Sequence, residues 1–241
     1  EKYHFPKLKT IMSGAAPLGS ELAEDCAKRL GCTVKQGYGL TETSPVTHIN
    51  PDPPGRVVSG SIGICIPNTE CRIVDKETGK DLGTDEQGEL WIRGPQVMKG
   101  YLNNPEATEQ TIDSEGWLHT GDIAEVDDEG YFKVVDRLKE LIKYKGYQVA
   151  PAELEALLLN HPSVSDCAVV AKQDEEAGEI PMAFLVYKKG QEETPEAIMD
   201  FVAQQVAPQK KIRSIKQVEL IPKSPSGKIL RRLLKDKALK F

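Results

Sequence analysis

Residues 36–42 (QGYGLTE) combine groups that could bind a nucleotide and a metal ion. The two glycines would let the backbone approach a ligand closely, and Tyr38 offers a flat face for a planar ring. Thr41 supplies a hydroxyl, and Glu42 supplies the carboxylate oxygens that Mg²⁺ prefers. The segment matches neither GxxxxGK[ST] nor GxGxxG, so by itself it favours a glycine-rich turn over a ligand site.

Two further side chains could act on a nucleotide. Asp122 ends the segment GWLHTGD, where a carboxylate after a small-residue turn could chelate a vicinal diol or could equally satisfy its own turn. Lys228 ends the segment PKSPSGK, which we expect to be extended and to present the lysine on a loop. A single loop lysine is ordinarily solvated, so neither residue decides a function alone.

A cation-rich turn divides the chain into two parts of different character. Arg137, Lys139, Lys143 and Lys145 precede Gly146, the residue type that tolerates a tight turn. Leucines and isoleucine at spacings of three and four predict a helical or turn face across this stretch. A solvated linker is the alternative interpretation of the same lysines.

The elements around these groups predict a mixed α/β and β fold in three parts. Strand, helix and strand patterns in residues 1–55 predict the end of an α/β sheet, with a helix capped by Ser20 and ended by Gly31. Short alternating strands in residues 56–136 predict an antiparallel sheet or small β-barrel. Residues 137–241 predict an α+β domain whose first helix begins at Pro151.

Composition excludes several classes of protein. With 241 residues, 39% of them hydrophobic, the chain can bury a sizeable core, and a net charge of −6 argues against a dedicated nucleic-acid binder. The last stretch is locally basic, which suits an anionic small ligand or a solvated face. No segment resembles a membrane span or a signal peptide, so we expect a cytoplasmic protein.

The cysteines and histidines show no spacing typical of a metal site. Five cysteines lack a CxxC pattern, so we expect them to be reduced and mostly buried packing residues. The four histidines show no mutual spacing that indicates a metal or a catalytic triad, and we interpret them as structural.

The order of the motifs is more specific than any one of them. SGAAPLG, QGYGLTE, GELWIRGPQVMKGYLNNPEAT, GWLHTGD, DRLKELIKYKGYQVAPAELE and PKSPSGKILR follow one another along the chain. This series resembles the C-terminal part of adenylate-forming acid–CoA ligases, with 4-coumarate–CoA ligases closest and beetle luciferases near. The resemblance implies ATP, Mg²⁺, coenzyme A and a carboxylic acid as reactants, and an acyl-adenylate that is passed to the thiol. It also implies that the C-terminal domain is a mobile, hinged lid.

The resemblance also implies roles for individual residues. The adenine would be held by Gln36, Gly37, Tyr38 and Gly39, the α-phosphate by Thr41, and the ribose by Asp122 and Arg137. Mg²⁺ would bind Glu42, and the reacting groups would meet Lys228 and Gln148, which with Thr41 are the expected catalytic residues. Coenzyme A would contact Lys143, Lys145 and Gly146, the acyl group would contact Gly14, Gly39, Pro45 and Val46, and the domain hinge would be Lys139.

Several questions stay open at the level of the sequence. The chain begins without Met and close to a strand, so we expect a fragment, with the family's phosphate loop and an active-site histidine upstream. The acyl residues favour a hydroxycinnamate, with a medium-chain fatty acid or luciferase-type chemistry as alternatives. The final residues are not the S-K-L peroxisomal signal, although a truncated chain would conceal one. A non-catalytic nucleotide-binding fragment and a nucleic-acid-binding basic tail are the competing interpretations from other classes.

Overall fold

The computed structural model describes residues 5–52 and 55–238, and the chain forms two compact units, Glu1–Val135 and Asp136–Phe241. The first unit begins with strand β1 (Thr10–Ser13), helix α1 (Ser20–Leu30) and strand β2 (Thr33–Gly39). β1 and β2 are parallel, and the antiparallel strands β3 (Val46–Ile49) and β4 (Ile64–Cys65) extend the sheet in the order β1-β2-β3-β4. This confirms the predicted α/β sheet.

Two local expectations in this sheet were wrong. The N-cap of α1 is Gly19 without a side-chain cap, and Ser20 is already the first helical residue. Residues 36–39 belong to β2 rather than to a glycine-rich turn, because Gln36 pairs with Ser13 of β1 and residues 37–39 pair with β3. Gly31 ends α1 in the left-handed conformation (φ 63°), as predicted.

A second sheet completes the first unit. Its strands are β5 (Glu70–Val74), β6 (Gly88–Arg93), β7 (Leu118–Val126) and β8 (Phe132–Arg137), and the short helix α2 (Pro105–Thr111) precedes β7. The strands follow the order β5-β6-β7-β8. The predicted antiparallel sheet is therefore present, but the barrel alternative was wrong: within residues 5–52 and 55–238 the sheet does not close on itself. Asp122 lies inside β7, not after a turn as expected.

The second unit is the predicted α+β arrangement. Its sheet has the order β10-β9-β12-β11, with β13 beside β12. These strands are β9 (Ile142–Tyr144), β10 (Tyr147–Val149), β11 (Val164–Asp174), β12 (Gly178–Tyr187) and β13 (Ser214–Gln217). The helices are α3 (Pro151–Asn160), α4 (Pro195–Ala203) and α5 (Arg231–Ala238). Pro151 begins α3 as expected. The spacing of apolar residues predicts a last helix that includes Phe241, which lies outside the described residues.

Both faces of this sheet are covered, because side chains alternate along each strand. Val169 and Leu185 belong to the core cluster that includes Leu154 and Leu158 of α3. The adjacent residues Ala168 and Phe184 belong to a separate cluster with Leu234 of α5. The long hairpin of β11 and β12 is thus buried on both sides and provides a rigid base for the loops at its ends.

The cation-rich segment forms a turn at residues 138–140, which is one of the two forms that its spacing predicted, and a β-hairpin follows; the helical alternative was wrong. β9 and β10 pair Tyr144 with Tyr147 and Lys143 with Gln148. The two residues between the strands, Lys145 and Gly146, have φ values of 46° and 83°. Positive φ at both central positions is the requirement of a type I′ turn, whose twist matches that of the flanking strands. Gly146 is therefore needed for the backbone of the hairpin.

Candidate functional site

In the first unit, the predicted nucleotide residues of β2 and β7 are in direct contact. The Tyr38 hydroxyl donates a 2.5 Å hydrogen bond to Oδ2 of Asp122. Asp122 is buried, and its amide donates to the Thr120 hydroxyl at 3.1 Å, which orients this part of β7. The residues expected to bind an adenine ring and a ribose thus lie side by side, as adjoining parts of one nucleoside would require.

Gln36 has a second role that the sequence did not indicate. The Gln36 side-chain NH₂ group donates to the Leu18 carbonyl at 3.2 Å, and the backbone carbonyl of Gln36 accepts from the Asn50 side chain at 3.2 Å. The side chain is buried and connects β2 to the small-residue loop that follows β1. The side-chain oxygen of Gln36 is the atom that this residue could offer to a purine.

Glu42 lies on a 3₁₀ turn, Thr41–Thr43, that follows directly after β2. Its Oε1 accepts a 2.7 Å hydrogen bond from the Tyr101 hydroxyl, and its backbone carbonyl accepts from the Met98 amide at 2.7 Å. The hydrogen bond to Glu42 raises the pKa of Tyr101 above its usual value. Sequence reasoning missed Tyr101, because the irregular segment around it carries no spacing that links it to residue 42.

The Glu42 carboxylate fits the Mg²⁺ ion that the sequence resemblance implies. Mg²⁺ is commonly held by one or two protein carboxylates together with substrate phosphate oxygens and water. Glu42 is half-buried and is restrained through one oxygen and through its backbone, while Thr41 beside it is exposed. The pair offers one hard anionic ligand and one hydroxyl next to the strand that carries Tyr38.

The expected acyl residues gather at the same end of β2. A Cβ added to Gly39 would lie 1.8 Å from the Pro45 carbonyl oxygen and 2.8 Å from the Cα of Val46, so only glycine fits there. A Cβ on Gly14 would lie 3.6 Å from the Gly37 carbonyl. Gly39 is therefore the last residue of the strand that carries the proposed nucleotide residues, and Gly14, Pro45 and Val46 lie beside it. Backbone packing requires glycine at position 39 in any case.

In the second unit, Lys228 lies on a turn anchored to the beginning of β11. The turn was expected to be extended, but Gly227 and Lys228 fold back on Ser224 through bonds of 2.9 and 3.2 Å. Lys223 and Ile229 close it as a β-bridge, and the Lys223 ammonium pairs with both Asp166 oxygens at 2.8 and 2.7 Å. Lys228 itself is exposed.

The predicted coenzyme A residues lie at the other end of the same sheet. Tyr144 of β9 pairs with Gly178, the first residue of β12, and the Lys145 ammonium lies 2.5 Å from Glu176. This ion pair raises the pKa of Lys145, whose side chain stays exposed to solvent. Gln148 and Lys143 are exposed partners on adjacent strands.

The Lys228 turn and the Lys145–Gly146 hairpin are therefore far apart within one compact unit. The Lys228 turn is attached at Asp166, and the hairpin at the Asp174–Gly178 end of β11 and β12. Eight residues of strand separate these attachments, which corresponds to about 26 Å at 3.3 Å per residue. A lysine side chain cannot span that distance, so the structure does not bring Lys228 together with Lys143, Lys145, Gly146 and Gln148.

The beginning of the second unit is held by a buried carboxylate. Asp136 accepts from the Arg137 amide at 2.7 Å and from the Ala152 amide in the first turn of α3 at 2.8 Å. Burial raises the pKa of this carboxyl. Arg137, the second expected ribose residue, and Lys139, the expected hinge residue, are both exposed just after it.

Comparison with known proteins identifies the class of this chain. The sequence pattern of the AMP-binding enzyme family matches residues 1–102, and that of the AMP-binding enzyme C-terminal domain matches residues 153–228. The chain belongs to this family of adenylate-forming enzymes. No helix within the described residues is long and apolar enough to cross a membrane.

Curated relatives with similar sequences include plant 4-coumarate–CoA ligases. A 4-coumarate-CoA ligase 2 of Narcissus pseudonarcissus is 51% identical over 245 residues, covering 100% of this chain and 43% of the relative. A 4-coumarate–CoA ligase 2 of Petroselinum crispum is 53% identical over 241 residues, covering 98% of this chain and 44% of the relative. The chain therefore spans less than half the length of these curated relatives.

Solved structures agree with the family assignment. ATP-bound MatB from Rhodopseudomonas palustris superposes with a TM-score of 0.90 at 29% identity, over 98% of this chain and 48% of that one. The anthranilate CoA ligase AuaEII in complex with anthranoyl-AMP superposes with a TM-score of 0.87 at 31% identity. The match covers 96% of this chain and 45% of AuaEII.

Proposed function

We propose that this chain is part of an ATP-dependent carboxylic acid–CoA ligase that forms an acyl-adenylate and then a CoA thioester. The observation that carries the proposal is the match of the whole chain to 4-coumarate–CoA ligases at 51–53% identity. The Tyr38–Asp122 contact and the adjacent Glu42 supply a physical reason, since they group an aromatic face, a diol acceptor and a metal ligand at one end of β2.

In the first half-reaction, a carboxylate oxygen attacks the α-phosphorus of ATP and displaces pyrophosphate. Tyr38 would orient the adenine, Asp122 and Arg137 the ribose hydroxyls, and Thr41 the α-phosphate. Mg²⁺ bound at Glu42 would neutralise charge on the phosphates when present. Lys228 would donate hydrogen bonds to the carboxylate and the α-phosphate, where negative charge develops.

In the second half-reaction, the thiol of coenzyme A loses its proton, attacks the acyl carbon and displaces AMP. Lys143, Lys145 and Gly146 would position the thiol arm, and Gln148 would contact the reacting centre. Because the hairpin and the Lys228 turn are attached about 26 Å apart on one sheet, they cannot both occupy one reaction centre in one orientation. We therefore propose that residues 136–241 act as a lid that reorients between the half-reactions about Lys139.

The acyl group that we propose is a hydroxycinnamate, held beside Gly14, Gly39, Pro45 and Val46. The experiment is thioester formation by the full-length protein that contains this chain, with ATP, Mg²⁺, coenzyme A and either 4-coumarate or a medium-chain fatty acid. A higher kcat/KM for 4-coumarate supports the proposal. Preference for the fatty acid would overturn the acyl assignment, and the absence of AMP-forming ligation with every acid would overturn the function.

A further inference from the structure

A histidine and two cysteines converge where the two sheets of the first unit meet. His48 is on β3, Cys65 is its paired residue on β4, and Cys71 is on β5 of the second sheet. The His48 Nε2 atom lies 3.4 Å from the sulfur of Cys65 and 3.4 Å from that of Cys71, and the two sulfurs are 2.8 Å apart. These residues have no part in the proposed ligase reaction.

The imidazole is held with one nitrogen directed at the sulfurs. His48 is fully buried, Phe132 packs against its ring with centroids 4.6 Å apart, and Nδ1 lies 2.9 Å from the Thr47 hydroxyl. Because that hydroxyl can donate in turn to the Tyr38 carbonyl at 3.4 Å, it can accept from Nδ1–H. The Nε2 lone pair is then free to bind a cation, as in metal sites where an outer partner fixes the histidine tautomer.

The distances distinguish two uses of this cluster. Tetrahedral Zn²⁺, with bonds of about 2.3 Å to sulfur and 2.0–2.1 Å to nitrogen, places nitrogen and sulfur about 3.6 Å apart and two sulfurs about 3.8 Å apart. The two observed nitrogen–sulfur distances of 3.4 Å are close to this value, whereas the two sulfurs would have to move apart by about 1 Å to bind the ion. A disulfide would require the two sulfurs to approach each other by about 0.8 Å. It would leave the Nε2 atom of His48, which is directed at the sulfurs, without a function.

We propose that His48, Cys65 and Cys71 bind a single thiophilic d¹⁰ cation, Zn²⁺ in particular. Two thiolates and a neutral imidazole are a ligand set of the kind that Zn²⁺ takes, and they neutralise its charge. Both cysteines are half-buried, so the fourth position can be filled by water. The cation would link β3 and β4 of the first sheet to β5 of the second, beside Tyr38, whose ring centroid lies 5.9 Å from that of His48.

The test is metal binding by the whole chain under reducing conditions. After chelator treatment, addition of Co²⁺ should give one equivalent bound, a thiolate-to-cobalt charge-transfer band and the visible bands of a tetrahedral site, all displaced by Zn²⁺. Zn²⁺ should also raise the midpoint of thermal unfolding. Cys65→Ser, Cys71→Ser and His48→Gln should each lose the stoichiometric binding, while Cys26→Ser/Cys32→Ser, which removes two other half-buried cysteines of the same unit, should keep it.

A graded variant keeps the test decisive if ligand substitutions impair folding. Thr47→Val retains all three ligands but removes the Nδ1 partner, and it should weaken Zn²⁺ binding by about 10- to 100-fold. Absence of stoichiometric Co²⁺ and Zn²⁺ binding by the reduced, folded wild-type chain overturns the proposal. So does isolation of the chain with Cys65 and Cys71 joined as a disulfide that forms equally well in His48→Gln, because the cluster would then be a thiol pair without a metal function.

Discussion

The Tyr38 hydroxyl and the Asp122 carboxylate, 84 positions apart in the chain, are joined by a 2.5 Å hydrogen bond. The bond links the last part of β2 to the middle of β7, so it also connects the two sheets of the first unit. A hydrogen bond to a charged group contributes about 1.5–3 kcal/mol, and here the same carboxylate is proposed to bind the ribose. The contact therefore couples the position of the aromatic face to that of the diol acceptor.

Asp122→Ala should lower pyrophosphate exchange into ATP by the full-length enzyme. Loss of a charged hydrogen-bond acceptor predicts about a 10- to 100-fold fall in kcat/KM for ATP. Tyr38→Phe keeps the ring and removes only the hydroxyl, so it should cause a smaller fall. Asp128→Ala, at an exposed carboxylate of the same unit, is the control and should leave exchange unchanged. Normal exchange in Asp122→Ala would remove this residue from the site.

Glu42→Gln should raise the Mg²⁺ concentration needed for half-maximal exchange, because an amide is a weaker ligand for a hard cation than a carboxylate. The matched variant is Tyr101→Phe, which deletes the 2.7 Å hydrogen bond but leaves the carboxylate in place. It should shift the Mg²⁺ dependence less than Glu42→Gln does. Equal Mg²⁺ curves for wild type and Glu42→Gln would contradict the assignment of Glu42 as a metal ligand.

The secondary structure was largely predictable where local chemistry determines it. Pro151 and the Thr194–Pro195 pair begin helices, with the Thr194 hydroxyl accepting from the Ala197 amide at 3.3 Å. The sequence failed at residues 36–39, where pairing with β3 overrides the preference of Gly37 and Gly39 for turns. At the cation-rich segment the turn alternative was right and the helical one was wrong, because the chain makes a single turn at residues 138–140 and then pairs as strands.

The sequence predicted which motifs form the candidate site, but not how their side chains are arranged in space. Spacing alone does not show that Asp122 lies inside a strand and contacts Tyr38, since both facts depend on the packing of two sheets. The same limit concealed the cluster of His48, Cys65 and Cys71, whose members are 17 and 6 positions apart in no recognised pattern. The cysteines were also expected to be mostly buried, whereas only Cys167 is; the other four are half-buried.

Arg231→Met should destabilise the second unit strongly. The Arg231 guanidinium pairs with both Glu155 oxygens, one at 2.9 Å, and donates to the Val169 carbonyl at 2.8 Å. Leaving Glu155 buried without its partner should cost about 3–5 kcal/mol, measured by urea unfolding. The exposed pair of Lys210 and Glu153 is the control, since Lys210→Ala should cost about 0–1 kcal/mol. A cost for Arg231→Met as small as that of the control would show that the buried pair is not needed.

Asp136 predicts a pH dependence of stability. Burial raises the pKa of this carboxyl in the folded chain above its ordinary value, so the folded state holds the proton more tightly than the unfolded state. The free energy of unfolding should therefore fall as pH rises from the ordinary carboxyl pKa through the raised folded-state pKa. Asp136→Asn should reduce this fall in urea titrations at several pH values. An unchanged slope would show that the titration of Asp136 does not contribute.

Lys228→Ala and Gly146→Ile should separate the two half-reactions of the full-length enzyme. Lys228→Ala should abolish pyrophosphate exchange but spare thioester formation from pre-made acyl-adenylate. Gly146→Ile should do the reverse, because a β-branched residue at φ 83° distorts the hairpin that we propose to guide coenzyme A.

The controls test whether strain or charge alone explains these effects. Gly190 also has a positive φ (72°), and neither glycine has an atom within 4 Å of an added Cβ, so Gly190→Ile is matched to Gly146→Ile and should affect neither half-reaction. Lys189→Ala removes an exposed lysine elsewhere in the unit and should leave both half-reactions unchanged. Because the two elements are attached about 26 Å apart on one sheet, each should serve only one step. Equal loss of both half-reactions in Lys228→Ala and Gly146→Ile would contradict the proposed reorientation of residues 136–241.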